Sequence, residues 1–216
     1  MPLFFREKDY NISIPLEGKE GSAVQQRNYQ REMDTLIASL DARPRLLLHS
    51  CCGPCSSACL ERLAPHFDID VFFYNPNILP AEEWEKRLYW QKHLLKAAPF
   101  GKGVGLIVPE RDEAAFRLAA AGLEAEPEGG ARCTECFVLR LSRTAEAARD
   151  GGYDYFATTL TVSPHKNAPL INAIGEKLAG EYGVSWLPSD FKKRDGYRRS
   201  IELSHEYGLY RQSWCG

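Results

Sequence analysis

Short apolar runs alternate with longer amphipathic stretches along most of the chain. Leu46-Leu47-Leu48 is an uninterrupted apolar run, which is typical of a strand that is covered on both faces. Strands are predicted at about 45–50, 69–74, 104–108, 153–159 and 184–187, and helices at about 56–64, 80–98, 111–121, 134–149 and 168–181. This alternation predicts an α/β fold in which helices flank a central, mainly parallel sheet.

The first 40 residues differ from this pattern. Residues 1–20 lack a regular period and predict a loosely held arm, whereas apolar residues recur at spacings of three and four from Met33 to Leu40 and predict a helix over 22–40. The sequence therefore predicts a single domain over residues 1–216. Residues 1–40 form its N-terminal helical arm, and residues 41–216 form the α/β core and the C-terminal tail.

Composition and charge restrict the binding partners, the cellular compartment and the cysteine chemistry that the domain can have. The chain has 216 residues, of which 44% are hydrophobic, and a formal net charge of −2, so nucleic-acid binding would need a local basic patch. No signal-peptide pattern and no run of about 18 apolar residues occurs, which predicts a cytoplasmic protein without membrane contact. Seven cysteines are many for such a protein. In a reducing compartment, clustered cysteines favour metal or redox chemistry over structural disulfides.

The cysteines group in two short segments. Cys51, Cys52 and Cys55 follow the first predicted strand, where chemistry in open parallel sheets is usually found, and Cys133 and Cys136 form a second pair. Three interpretations compete. A zinc site would use four thiolates from the two segments. A dithiol centre would use the thioredoxin-like Cys-Gly-Pro-Cys sequence at 52–55, and an iron–sulfur cluster would take thiolates from separate loops. Spacing alone leaves these alternatives open.

Six separated motifs, in one order, carry a resemblance to a known family. They are Leu-Leu-His-Ser-Cys-Cys-Gly-Pro-Cys-Ser at 47–56, Tyr-Asn-Pro-Asn-Ile at 74–78, Glu-Pro-Glu-Gly-Gly-Ala-Arg-Cys-Thr-Glu-Cys at 126–136, Thr-Leu-Thr-Val-Ser-Pro-His-Lys at 159–166, Asp-Phe-Lys-Lys at 190–193 and Tyr-Arg-Gln-Ser-Trp-Cys-Gly at 210–216. From about residue 28 onward the chain resembles the QueH family of epoxyqueuosine reductases. It is also similar to Rossmann-like nucleotide-hydrolase folds, but it lacks their glycine-rich phosphate loop.

The resemblance implies an oxidoreductase of tRNA modification. It implies two-electron reduction of the epoxide of epoxyqueuosine at the tRNA wobble position, the last step of queuosine biosynthesis, without cobalamin and with an external electron donor. It further implies a 4Fe–4S cluster and an adjacent metal, expected to be iron. The implied cluster ligands are Cys51, Cys52, Cys133 and Cys136, and Cys55 is the implied ligand of the second metal.

Further roles fall on the loops and the tail. The family tail usually carries two cysteines, whereas this sequence reads Cys215-Gly216, so the redox-active tail thiol is expected to be Cys215 alone. Lys166, Asp190 and His165 are candidate proton donors, since removal of an epoxide oxygen requires a positioned acid. Five basic tail residues are predicted to bind the tRNA backbone: Lys192, Lys193, Arg194, Arg198 and Arg199. The alternative function is a zinc-stabilised RNA-binding module without redox activity.

Overall fold

A computed structural model describes residues 27–215 of the protein. The predicted arm over residues 1–20 and the beginning of the predicted first helix lie outside these residues. The helices are α1 (Tyr29–Ala38), α2 (Gly53–Leu63), α3 (Ala81–Ala97), α4 (Glu113–Ala119), α5 (Ala131–Asp150), α6 (Ala168–Tyr182) and α7 (Gly196–Glu206). The strands are β1 (Arg45–His49), β2 (Asp68–Phe72), β3 (Gly105–Ile107), β4 (Tyr155–Thr158) and β5 (Ser185–Trp186).

The five strands form one parallel sheet in the order β3-β2-β1-β4-β5. The central strand β1 reads Arg-Leu-Leu-Leu-His, and its last four residues are buried, as its apolar run predicted. The predicted α/β class with a parallel sheet is therefore confirmed. The chain builds β2 and β3 on one side of β1 and then crosses over to build β4 and β5 on the other side. The carboxyl ends of β1 and β4 are thus the switch point, where such sheets leave a crevice.

Two hydrophobic clusters fill the space between the sheet and its helices. One packs α5 and α6 against the sheet through side chains such as Leu47, Phe137 and Ile171. The other packs α2 and the tail against the sheet through residues such as Leu48, Leu60 and Leu209. The first cluster also contains Cys51, Cys52 and Cys136, with Cys55 and Cys133 packed against it. The two cysteine segments therefore meet in the core beneath the switch point.

The observed elements differ from the predicted ones mainly at their ends. Helix α5 begins at Ala131, three residues before the predicted start, because Gly130 serves as its N-cap and its carbonyl accepts the Cys133 N–H at 3.0 Å. Cys133 consequently lies in the first turn of a helix instead of in a loop. Strand β4 ends at Thr158, and a short 3-10 helix (Thr159–Val162) follows it. None of the helices among residues 27–215 is long and apolar enough to cross a membrane.

Candidate metal centre

Three cysteines at the end of β1 form a compact group. The sulfurs of Cys51, Cys52 and Cys55 all lie within 4.8 Å of one another, and Cys51 Sγ donates to Cys52 Sγ at 3.8 Å. Hydrogen bonds from the Cys51 and Cys55 thiols hold the pKa of Cys52 well below its usual range. The hydrogen bond to Cys52 raises the pKa of Cys51, and hydrogen bonds with Cys51 and Cys52 raise the pKa of Cys55. Of the three thiols, Cys52 therefore loses its proton most readily, and the thiolate is the form of cysteine that binds metals.

The second cysteine segment lies on α5. Cys136 is buried, and burial raises the pKa of its thiol. The sulfur of Cys133 is half-buried and accepts the Gly129 N–H at 3.2 Å. Electrostatic interactions connect Cys136 with both Cys133 and Cys215. The fold therefore brings all four predicted cluster ligands into one region, although the compact group within residues 27–215 consists of Cys51, Cys52 and Cys55. The division of these ligands between two metals stays a prediction.

The donor set fits a thiolate-bound metal. Three sulfurs are close enough to share one ion, and two more cysteines face the same core cluster. Soft thiolate ligands favour zinc and iron–sulfur centres over magnesium or calcium. The fit is reinforced by Arg140, whose buried guanidinium nitrogens Nη1 and Nη2 have no oxygen acceptor among the described residues, so that the Cys136 thiol is the side-chain acceptor that acts on them. An anionic thiolate centre would supply the negatively charged partner that this guanidinium lacks.

A network of buried polar side chains fixes the backbone of the cysteine loop. The hydroxyls of Ser50 and Ser56 donate to Gln91 Oε1 at 2.9 and 2.8 Å. Asn75 Nδ2, which follows β2, donates to the Ser50 carbonyl at 2.8 Å. A Cβ at Gly53 would lie 2.8 Å from the Trp90 carbonyl oxygen, so glycine is required for the close approach of α2 and α3. The loop that carries the cysteines is thus held in place by contacts that involve no metal.

His49 is a core residue and not a ligand in this geometry. The side chain is fully buried, with Nδ1 2.8 Å from Thr158 Oγ1 and Nε2 3.1 Å from the Tyr74 carbonyl oxygen. Burial lowers the pKa of His49 to about 3, and the positive charge of Arg140 adds to this effect. The imidazole is therefore neutral, with Nε2 donating to the carbonyl, and it holds the ends of β1, β2 and β4 together.

A cavity of about 430 Å³ opens above the compact cysteine group. Cys51 and Cys55 form part of its floor, and loop residues after β4, the start of α7 and tail residues 211–215 form its walls. Lys166 lines this cavity with its side chain only 8% exposed, and its Nζ lies 3.1 Å from Glu128 Oε1. Burial acts to lower the pKa of Lys166, but the nearby Cys215 thiol and Glu128 outweigh burial and raise it. Lys166 is thus a charged donor held at the cavity.

The other candidate proton donors differ in position. His165 also lines the cavity. Asp190 is buried, and its Oδ1 lies 2.8 Å from the Nζ of Lys192. Asp190 is not among the described residues that form the cavity wall. The geometry therefore places Lys166 and His165 beside the site, and it pairs Asp190 with a lysine near the tail.

The predicted basic patch is largely neutralised by acidic partners. Arg194 pairs with Asp34 at 2.5 Å, and Arg199 pairs with Glu61 at 2.7 Å. Arg198 pairs with Asp195 at 2.8 Å, and Lys192 pairs with Asp190 as described above. Of the five predicted residues, only Lys193 makes no ion pair within the described part of the chain. The five basic residues are therefore accompanied by acidic side chains, so the positive charge of this surface is smaller than a count of its basic residues suggests.

The tail is held over the site by a buried ion pair on α3. Arg87 is 1% exposed, and its Nε donates to Glu83 Oε1 at 2.6 Å. Arg87 Nη1 and Nη2 donate to the carbonyls of Cys215 and Trp214 at 2.6 and 3.3 Å. The Tyr210 hydroxyl donates to Glu83 Oε2 at 3.2 Å. This clamp, formed by Glu83 and Arg87, keeps Cys215 on the cavity wall.

Three residues at the site were not predicted from the sequence. Arg140 is fully buried beside the cysteines, Arg87 holds the tail, and the Gln212 side chain hydrogen-bonds to the Cys52 sulfur and helps to lower the pKa of that thiol. A signal for Arg140 was present, because it follows Cys136 by four residues and so lies on the same face of the helix. No sequence signal connects Arg87 with a tail that lies 127 residues further along.

These features define a class: an α/β protein with a thiol-rich site, suited to a metal, at the switch point of a parallel sheet. Residues 46–216 match the family model described as Epoxyqueuosine reductase QueH. The chain belongs to this family. The match confirms the predicted family and, with it, the prediction of an oxidoreductase.

Curated relatives with the printed name Epoxyqueuosine reductase QueH cover most of the chain. The protein of Staphylococcus epidermidis is 44% identical over 199 residues, which span 89% of this chain and 84% of the relative. That of Streptococcus pyogenes is 43% identical, over 89% of this chain and 77% of the relative. That of Thermotoga maritima is 36% identical, over 79% of this chain and 87% of the relative.

Proposed function

We propose that this protein reduces the epoxide of epoxyqueuosine in tRNA to the alkene of queuosine. The observation that carries the proposal is the family match over residues 46–216, because those residues build the entire cysteine-lined cavity. The reaction converts an epoxide, two electrons and two protons to an alkene and water. The electrons must come from an external donor, and the proposed setting is the cytoplasm, where tRNA is modified.

The cysteines supply the proposed metal sites. Cys51, Cys52, Cys133 and Cys136 would hold a 4Fe–4S cluster, and Cys55 would bind a second metal, expected to be iron, beside it. A cluster held by these thiolates would supply electrons one at a time, and a metal at Cys55 would add Lewis-acid polarisation of the epoxide oxygen. The support from the structure is the low thiol pKa of Cys52, the proximity of its two neighbours and the common core cluster of all five sulfurs.

Lys166 is the proposed proton donor at the cavity. Its Nζ is held between Glu128 and Cys215, and it stays protonated at neutral pH because these neighbours raise its pKa against the effect of burial. From this position Lys166 Nζ can donate a proton to the oxygen that gains negative charge when the epoxide opens. Replacement of Lys166 by Gln should lower kcat by about 10²-fold or more, because general-acid contributions begin at about that size. An unchanged kcat in K166Q would refute this role.

The cavity mouth offers the surface for the tRNA. Tyr197 and Trp214 line the cavity and are 37% and 49% exposed, so either ring can stack on an unpaired base. Of the five predicted tail residues, Lys193 is the one without an ion pair among residues 27–215, and it precedes α7 in the same part of the chain. The proposed binding mode is thus a stacked base at the mouth and phosphate contacts from the tail-proximal basic residues.

Charge reversal tests the basic surface. The double variant K192E/K193E should weaken tRNA binding at least tenfold and should flatten its salt dependence, because phosphate contacts release counterions. Lys102 is exposed in the turn that precedes β3, at the opposite edge of the sheet, so K102E is the matched control. Equal tRNA affinities of K192E/K193E and K102E would contradict the proposed surface.

The activity itself is tested anaerobically. Purified protein, a chemical reductant and tRNA that contains epoxyqueuosine should yield queuosine, as measured by mass spectrometry of the digested nucleosides. Cys52→Ala should abolish the product, whereas Cys59→Ala should retain it, since Cys59 is a buried helix residue outside the compact group. If wild-type protein with its full metal content gives no queuosine, the proposal fails. A zinc content with tRNA binding but no reduction would instead support the RNA-binding module.

A further inference from the structure

Two arginines are fully buried among residues 27–215, and their surroundings differ. Arg87 is 1% exposed, but every part of its guanidinium has a partner, including the carboxylate of Glu83. Arg140 is 0% exposed, its Nη1 and Nη2 have no oxygen acceptor among the described residues, and the side-chain acceptor that acts on its guanidinium is the Cys136 thiol. No carboxylate of residues 27–215 forms an ion pair with Arg140 at 4.0 Å or less. A buried, unpaired cation is strongly unfavourable, so this arrangement calls for an anion.

The groups around Arg140 show where that anion belongs. Arg140 Nε donates to the Cys136 carbonyl at 3.3 Å, which directs the guanidinium along α5 toward the cysteines. The electrostatic neighbours of the guanidinium are the thiols of Cys136, Cys215 and Cys51, and its positive charge also acts on the imidazole of His49. The ring of Phe137 covers another side, with the Arg140 Cζ 5.8 Å from the ring centroid. The guanidinium therefore interacts electrostatically with thiols of both cysteine segments and is shielded from water.

We propose that Arg140 is a positioning residue that compensates the negative charge of the thiolate-bound iron–sulfur centre and raises its reduction potential. This inference rests on the proposed function, because it needs the centre that the cysteines would hold. A 4Fe–4S cluster with four thiolates becomes more negative when it accepts an electron. A fixed positive charge beside it stabilises the reduced form more than the oxidised form. Hydrogen bonds and charge near the sulfurs are known determinants of cluster potential.

Two variants separate charge from shape. R140Q removes the charge and keeps hydrogen-bond donors, whereas R140K keeps the charge and loses the planar fork. Arg149 lies on the same helix, at its exposed end, and pairs with Asp150 at 2.8 Å, so R149Q is the matched control. The measurement is a redox titration of the reconstituted holoprotein, followed by the electron paramagnetic resonance signal of the reduced cluster. Iron and labile sulfide are counted in every sample.

R140Q should lower the ratio of reduced to oxidised cluster at least tenfold at a fixed potential, which for one electron is a shift of about 59 mV to more negative values. R140K should shift less than R140Q, and R149Q should not shift. A potential in R140Q equal to that of wild type, or equal shifts in R140Q and R140K, would overturn the inference. If R140Q takes up no cluster, R140K should still take it up. Failure of both variants, with folded circular dichroism spectra, would also overturn it.

The proposed metal site and the proposed role of Arg140 can be refuted independently. If wild-type protein holds no labile sulfide after anaerobic reconstitution, the proposed metal site is wrong. If wild-type protein holds the cluster and reduces its substrate while R140Q has an unchanged potential, the proposed function stands and only the role of Arg140 is wrong.

Discussion

The buried ion pair between Glu83 and Arg87 yields a prediction whose size can be worked from the structure. The two side chains are 8% and 1% exposed, and their charged atoms lie 2.6 Å apart. At an effective dielectric constant of about 20, this distance gives an attraction of about 6 kcal/mol. Loss of one partner of a buried pair costs about 3–5 kcal/mol, because the remaining charge stays buried. Glu83→Gln keeps an acceptor oxygen, so we expect a loss of about 3 kcal/mol.

The assay is urea unfolding of the metal-free protein, followed by far-UV circular dichroism. Glu82→Gln is the matched control, because Glu82 is the exposed neighbour in the same helical turn, and its free energy of unfolding should change by less than about 0.5 kcal/mol. A free energy of unfolding of E83Q within about 0.5 kcal/mol of wild type would refute the reasoning.

The same clamp has a local consequence for the tail. Arg87→Gln removes the charged donors to the carbonyls of Trp214 and Cys215. Hydrogen bonds to charged groups are worth about 1.5–3 kcal/mol each, so opening of the tail should become at least tenfold more frequent. Hydrogen exchange of the peptide that covers residues 209–215 should therefore be at least tenfold faster in R87Q. An unchanged exchange rate would show that other contacts hold the tail.

Two further predictions concern the packing and pH dependence of the fold. Gly175→Ala should lower the free energy of unfolding by about 1–3 kcal/mol, because its Cβ would lie 2.3 Å from ring atoms of Trp186. Gly180→Ala on the same helix meets nothing within 4 Å and should instead stabilise by up to about 1 kcal/mol, so equal effects in urea unfolding would contradict the argument. The Tyr153 hydroxyl donates to Asp70, and burial together with this hydrogen bond raises the pKa of Tyr153 to about 12. The difference in free energy of unfolding between wild type and Tyr153→Phe should persist below about pH 10, the usual tyrosine pKa, and disappear as the pH rises through about 12. A difference that is constant from pH 9 to 12 would contradict this role of the Tyr153 hydroxyl.

Local sequence patterns were sufficient to predict the fold class. The apolar run of β1 and the regular alternation of strands and helices imply a parallel sheet, and the loop after His49 places cysteines at its carboxyl edge. The start of α5 was predicted three residues late, because the helix-starting role of Gly130 depends on backbone hydrogen bonds that no apolar period reveals. A strand that is buried between two layers of helices can be predicted from its local apolar pattern. The exact end of a helix depends on individual capping contacts, which that pattern does not show.

The site was predictable only in part. The cysteine motifs identify the thiols, but the compact grouping of Cys55 with Cys51 and Cys52 follows from the tight turn into α2. The pairing of Arg199 with Glu61 joins residues 138 positions apart, and sequence patterns do not contain such a distance. The same holds for the isolation of Arg140, since a missing partner is a property of the packed core. Ion pairs between residues that are far apart in the chain, and the absence of such pairs, could therefore not be predicted from the sequence.

The central claim is that these cysteines hold an iron–sulfur centre that serves epoxide reduction. The most direct test is the iron and acid-labile sulfide content, with a visible spectrum, of protein purified and reconstituted without oxygen. The account predicts about four sulfides and at least four irons per chain, and loss of both in single Cys→Ala variants at positions 51, 52, 133 and 136. One zinc per chain with no labile sulfide, after the same anaerobic reconstitution, would contradict it.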